Sequence, residues 1–208
     1  MIKIFLEGGP VMWPLLLCSI VAVATTLERF FFIARERSRR QPQAVEKILQ
    51  RVEQHDLQGA QQAGKDSRDF VARVLTFALA HRAESFSSAV LRAANRELKN
   101  FNRGLSVLDT IITLAPLLGL LGTVTGMIHA FGLLGGQELD APQAITGGIA
   151  QALLATAFGL GIAITALLPF NYLNSRLEEA RHEIEDAASQ MELHLQQCRE
   201  CHDKGEVK

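Results

Sequence analysis

APQAITGGIAQALLATAFGLGIAITALLPFNYLNS, residues 141–175, runs for more than thirty residues without Asp, Glu, Lys or Arg. A helix crosses a bilayer with about 20 apolar residues, at about 1.5 Å each. This stretch is long enough to span a membrane and protrude beyond it. Working outward, the short loop GGQELD precedes it, and before that residues 110–134 form a second uncharged run, with His129 taken as neutral. Nearer the N-terminus, residues 8–27 form a third, and its apolar pattern resumes as FFFIA after Glu28 and Arg29. The first span is placed at about residues 11–33. Pro10 and Pro14 suit its first turn, where a missing N–H costs little. Trp13 stands where an interfacial aromatic anchor would. The first run lacks the basic flank and small-residue cleavage site of a signal peptide and is read as retained. The predicted fold is all-α: a polytopic membrane protein with three transmembrane helices and long cytoplasmic helical extensions.

Composition alone would hide this. Hydrophobic residues make up 48% and charged residues 21% of the 208, close to soluble averages, so the clustering carries the membrane reading. A net charge of −1 gives no field that would draw nucleic acid. Cys18, Cys198 and Cys201 are too few and too scattered for a disulfide framework. No Ser-His-Asp or Cys-His catalytic set, phosphate loop or metal cluster is visible, so an enzyme is not expected, nor is a cofactor or a bound metal.

Orientation follows from Lys and Arg near the spans. Arg35, Arg37, Arg39 and Arg40 follow the first span, and Arg96, Lys99 and Arg103 precede the second. The loop between the second and third has Glu138 and Asp140 and no base, while Arg176 and Arg181 follow the third. Against Lys3 alone, the predicted layout is a first helix with a periplasmic N-terminus (1–34), a cytoplasmic helical domain (35–106), a transmembrane hairpin (107–175) and a cytoplasmic tail (176–208). In the cytoplasmic parts Val45, Ile48, Leu49 and Val52 share a helical face, as do Phe70, Val71, Val74, Leu75, Ala78 and Leu79 behind a Ser67 cap. Leu91, Ala94, Leu98, Phe101, Leu105, Leu108 and Ile112 read as a seam running unbroken into the second span. Leu177, Ala180, Ile184, Ala187 and Met191 repeat the pattern in the tail.

Helices in lipid pack through small residues, because lipid offers no hydrophobic drive between them. Gly119, Gly122 and Gly126 in the second span, and Gly147, Gly148, Gly159 and Gly161 in the third, predict close packing against protein and several copies together. Polar residues at depth mark function. Thr123 falls near the middle of the second span, and Gln151 and Thr156 in the middle third of the third. At about 100° per residue, Gln151 and Thr156 stand roughly 140° apart, so one faces a lumen and the other a seam. A threonine also bonds its own helix backbone, whereas the Gln151 amide needs partners in hydrocarbon. His129 lies toward the outer end of the second span. No carboxylate lies at depth, so a proton path through this chain needs a titrating group from a partner. Moving one charge through 100 mV yields about 2.3 kcal/mol, a usable drive.

At APLLGLLGTVTGMIHAF (115–131) and GGIAQALLATAFGLGIAITALLPFNYL (147–173) the chain resembles the ExbB/TolQ/MotA proton-channel family, and ExbB in particular. The resemblance implies a pentamer in the bacterial inner membrane, its second and third helices lining a channel around an ExbD- or TolR-like single-span subunit that supplies the protonatable aspartate. A TonB-like protein would receive the work and open outer-membrane transporters. Thr123 matches the family threonine of GLxGT, and Thr156 that of ALLAT, both expected to face the partner's aspartate. Gln151 stands where ExbB proteins often carry Glu, which suits a partner-borne carboxylate. Thr165 replaces the usual Pro of AIPA, with Pro169 one turn later shifting any kink toward the cytoplasm. A TolQ-like role in envelope maintenance and a non-conducting scaffold are the other readings, while a MotA-like role conflicts with the usual four spans of those proteins. Cys198-Arg-Glu-Cys201-His202 fits the c-type haem pattern, but the charge distribution puts that tail inside, where haem is not attached.

Overall fold

The computed structural model describes residues 9–82, 85–132 and 141–206. All the regular structure among them is helical: α1 (Met12–Ser38), α2 (Pro42–Glu53), α3 (Leu57–Lys65), α4 (Phe70–Ala80), α5 (Phe86–Asn102), α6 (Leu105–Gly132) and α7 (Ala141–Glu206). Stretches of α1, α6 and α7 are long and apolar enough to cross a membrane, and the chain is a multi-pass membrane protein. The loop carrying Glu138 and Asp140, and the side chains of Cys198, Cys201 and His202, lie outside the described residues.

The chain divides into two compact units, Met1–Phe30 with Gly104–Leu173, and Phe31–Arg103 with Asn174–Lys208. In the second unit α4 is the central helix. Seven of its residues, among them Phe70, Val74, Leu75 and Leu79, are buried, as suits a helix whose only charged residue is Arg73. Around it lie Ile48 and Val52 of α2, Ala60 of α3, Phe86 and Ala89 of α5, and Ile184 and Met191 of α7. The tail seam from Leu177 to Met191 is buried as its spacing predicted.

Three local features depart from the sequence reading. The seam does not run unbroken into the second span: α5 ends at Asn102, and Gly104 adopts φ +85° before α6 begins. That left-handed conformation suits Gly because it has no Cβ to clash. On α5 the buried face is Phe86, Ala89, Ala93 and Ala94, and Leu91 is 63% exposed. Ser67 does not cap α4; Asp69 does, its carboxylate accepting from Val71 N–H at 2.9 Å, while the Ser67 hydroxyl accepts from the Asp69 N–H at 3.2 Å. Asp outranks most residues as an N-cap because its oxygens satisfy the free N–H groups of the first turn.

Candidate functional site: a glycine–alanine hairpin with a cross-helix hydroxyl

The first unit is built on the pairing of α6 with α7. The buried line of α6 runs Ala115, Gly119, Gly122, Gly126 and Ala130. Facing it on α7 run Gly148, Ala152, Ala155, Gly159, Ala163 and Ala166. Both lines alternate spacings of three and four, so each is one helical face. With only Gly and Ala between them the backbones come close. A Cβ on Gly159 would lie 2.5 Å from the Ala115 carbonyl oxygen, and one on Gly119 3.0 Å from that of Ala155. Gly147 and Gly161, expected to pack in the same way, face open space.

Thr156 stands at the edge of this contact, half-buried. Its hydroxyl donates to the Gly119 carbonyl at 2.8 Å, across 37 residues of sequence. In helical register that carbonyl also accepts from the N–H of Thr123, four residues on. The two threonines singled out from sequence therefore meet at one carbonyl oxygen. The Thr123 hydroxyl itself donates to Leu120 O at 2.7 Å within α6. Thr165 likewise turns back on its own helix, to Gly161 O and Ile162 O at 2.9 Å each. It lines a crevice between α1 and α7 with Ser19 and Thr26.

Gln151 does not join this group. Its amide lies against the backbone of Gly9, just before α1, where a Cβ on Gly9 would sit 1.9 Å from Nε2. Gly9 has φ +76°, so the position suits glycine twice over: through the left-handed conformation and through the approach of the amide. Gly9→Ala is expected to destabilise the first unit by about 1–3 kcal/mol, from αL strain and overpacking. Thermal unfolding of the purified protein in micelles checks this. His129 is exposed on α6 near its C-terminal end.

One residue goes unremarked in the sequence reading. Asp109 lies just before the uncharged run at 110–134 but inside the predicted hairpin (107–175), and α6 begins at Leu105. Asp109 is therefore part of the helix, exposed, and 14 residues before Thr123. That spacing puts the two within about 40° on one face and about 21 Å apart along the axis.

Between residues 110–132 of α6 and 146–175 of α7 there is no Asp, Glu, Lys or Arg. The hairpin offers hydroxyls, an ordered carbonyl and a dry Gly/Ala seam. It can position a titrating group brought from elsewhere, but holds no carboxylate of its own at depth. Fold and site together define a multi-pass membrane protein whose paired helices pack through small residues around a hydroxyl-bearing midpoint.

The comparisons with known proteins agree. The model of the MotA/TolQ/ExbB proton channel family matches residues 62–186. Over 197 residues the chain is 40% identical to the biopolymer transport protein ExbB-like 1 of Synechocystis sp., covering 91% of this chain and 76% of that one. Over 209 residues it is 34% identical to ExbB-like 3 of the same organism, covering 98% and 97%. Over 85 residues it is 41% identical to the Tol-Pal system protein TolQ of Haemophilus influenzae, covering 41% and 37%. The chain belongs to the MotA/TolQ/ExbB proton channel family, whose members energise transport together with partner subunits.

Proposed function

We propose that this chain is the channel subunit of an ExbB-type motor driven by the proton-motive force in the bacterial inner membrane. Five copies would enclose the single-span helices of an ExbD-like subunit, and the work would pass to a TonB-like protein that opens outer-membrane transporters. The N-terminus is periplasmic and the tail cytoplasmic in this reading, as the Lys and Arg distribution supports. Thr123 and Thr156 face the partner's carboxylate at the depth of the Gly119 carbonyl. Asp109, on the same face as Thr123, gives the inner mouth a negative charge. Gln151 acts on the seam between α7 and the start of α1 rather than in the lumen. The observation that carries the proposal is the Thr156–Gly119 bond: a polar group held at the midpoint of a hairpin with no buried carboxylate of its own.

The match to TolQ supports a second reading, in which the partner is TolR-like and the output is envelope maintenance. The ExbB-type reading is preferred because the ExbB-like relatives match over nearly the whole chain. Which single-span subunit co-purifies with the chain decides between them.

The test of channel against scaffold is Thr156→Val. Valine keeps the shape and removes the hydroxyl, and a hydrogen bond between membrane helices averages about 0.6 kcal/mol, so the protein should still assemble. Proton flux into vesicles holding the protein with its partner is expected to fall about tenfold or more, a barrier change of about 1.4 kcal/mol. Unchanged flux in Thr156→Val would refute the role given to Thr156, and a chain that never conducts would be a scaffold.

A further inference from the structure

The second unit holds a group of charges that the channel reading does not use. Asp69, at 0% exposed, receives Arg40 through both oxygens at 2.7 and 2.9 Å. Arg40 also pairs with Glu183 of α7 and lies 4.7 Å over the Phe70 ring. Beside this network stands a second one. Arg73 of α4 gives Glu97 of α5 two bonds, at 3.1 and 2.7 Å, and a third to Arg68 O at 2.9 Å. Glu36, at the end of α1, is 8% exposed and lies 3.8 Å from the same guanidinium, outside bonding reach. Its Oε1 is buried and has no hydrogen-bond partner among the described residues.

Two carboxylates thus compete for one arginine, and Glu97 holds it. Ionised Glu36 is left with a buried acceptor that no donor meets, which is costly away from water. The charges facing it are Arg73 and Asp69 from α4, Glu97 from α5, and Arg39 from its own segment. The position lies beyond the span at 11–33, in a segment flanked by Arg35 and Arg37 and belonging to the second unit. Burial raises the proton affinity of Glu36 first of all; Arg73 and Arg39 oppose this, and Glu97 and Asp69 reinforce it.

We propose that Glu36 is a proton-binding site that couples acidity on its side of the membrane to the packing of residues 31–38 on α4 and α5. In the binding step a hydronium ion transfers its proton to the Glu36 carboxylate; an O–H bond forms there and one water is released. The neutral carboxyl no longer repels Glu97 and Asp69, Arg73 stays with Glu97, and the unmet acceptor becomes a donor. Packing is tighter in the protonated form. The proton affinity is raised by folding, so the stabilisation is fully present below the usual carboxylate range and is lost as pH rises through the raised folded value. That the pH sensed is cytoplasmic rests on the proposed orientation; the titration itself does not.

The experiment uses the full chain with its partner subunit in nanodiscs. Hydrogen exchange of residues 31–38, α4 and α5, corrected for the intrinsic pH dependence of exchange, is expected to slow about threefold to tenfold in the wild type as pH falls through the raised Glu36 value into the ordinary carboxylate range. In Glu36→Gln it should be slow throughout, with the slope gone. The wild-type minus Glu36→Gln infrared difference spectrum should show a protonated-carboxyl band that grows on acidification. Equal slopes in the two proteins, or no such difference band, would overturn the proposal. Should Glu36→Gln fail to assemble, Glu97→Gln and Glu183→Gln serve instead: Glu97→Gln, which frees Arg73 to meet Glu36, should move the carboxyl band to lower pH, Glu183→Gln should leave it in place, and its loss in Glu183→Gln would place the proton there and sink the assignment. None of these outcomes touches the Thr156 test, so the two readings fail separately.

Discussion

Asp69→Ala is expected to destabilise the unit formed by Phe31–Arg103 and Asn174–Lys208 by about 3–5 kcal/mol, the cost of removing one partner of a buried ion pair. Asp69 combines roles that are usually divided. Its Oδ1 accepts from Val71 N–H and caps α4, its Oδ2 accepts from Gln41 N–H at 2.8 Å, and both oxygens accept from Arg40. Alanine leaves two backbone donors unmet and strips Arg40 of its fully buried partner. Glu183 and the Phe70 ring remain to Arg40, so the loss should not exceed the range given. The cap alone accounts for about 1 kcal/mol. Asp69→Asn keeps one acceptor oxygen for the cap and should fall between wild type and alanine. Arg40 is 25% exposed at its side chain, so Arg40→Met should be milder than Asp69→Ala. Thermal unfolding in micelles and tryptic cleavage beside Arg39 and Arg40 report the order. A melting point for Asp69→Ala within about 0.5 kcal/mol of wild type, the scatter of ordinary surface changes, would show that the carboxylate is not what holds α4 to the α1–α2 junction.

This network also marks where sequence reading runs out. Spans, small-residue faces and the mid-span threonines follow from periodicity and from the distribution of charge, because a bilayer imposes length and polarity rules on every residue inside it. The tail seam from Leu177 to Met191 was readable because its spacing of three and four sets one apolar face, although the same spacing misled on α5, where Leu91 is exposed. Asp69 and Arg40 are 29 residues apart, and Arg73 and Glu97 are 24 apart. No local spacing relates them, so an Asp before an apolar helix and a run of arginines after a span gave no sign of pairing. Arg40 looked like a topology marker and is also a buried partner. Gln151 shows the converse. Its polarity at depth was legible, but its direction depends on where the chain before α1 passes, and Gly9 is 142 residues away. The break at Gly104 was missed because a heptad-like pattern continues across it, and one residue with φ +85° interrupts a helix without disturbing that pattern.

Gly159→Ala is expected to cut coupled proton flux about tenfold or more, while Gly161→Ala, two residues on, leaves it near wild type. The two glycines lie in one uncharged stretch of α7 and offer the same loss of backbone freedom, so the difference isolates the helix contact. A Cβ on Gly159 meets the Ala115 carbonyl oxygen at 2.5 Å and the Gly119 Cα at 3.1 Å. Both are backbone atoms of α6 and cannot swing aside. A carbon and a carbonyl oxygen settle at about 3.3 Å, so α6 and α7 must part by about 0.8 Å at this level. Overpacking of this kind costs about 1–3 kcal/mol, which a helix pair in a bilayer can survive. The Thr156–Gly119 bond does not survive it: stretched by the same amount from 2.8 Å, it passes about 3.5 Å and is no longer a hydrogen bond. Gly159→Ala should therefore reproduce the flux defect of Thr156→Val with every hydroxyl still present. Gly119→Ala, whose Cβ meets Ala155 O and Thr156 Cα at 3.0 Å, should be intermediate. A Cβ on Gly161 meets nothing within 4 Å. Flux in proteoliposomes, with assembly followed by native mass spectrometry, separates a loosened hairpin from a failure to assemble. Equal flux in Gly159→Ala and Gly161→Ala would mean that the distance between α6 and α7 does not set the channel's activity, and the site would have to be sought on the outward faces of the pair.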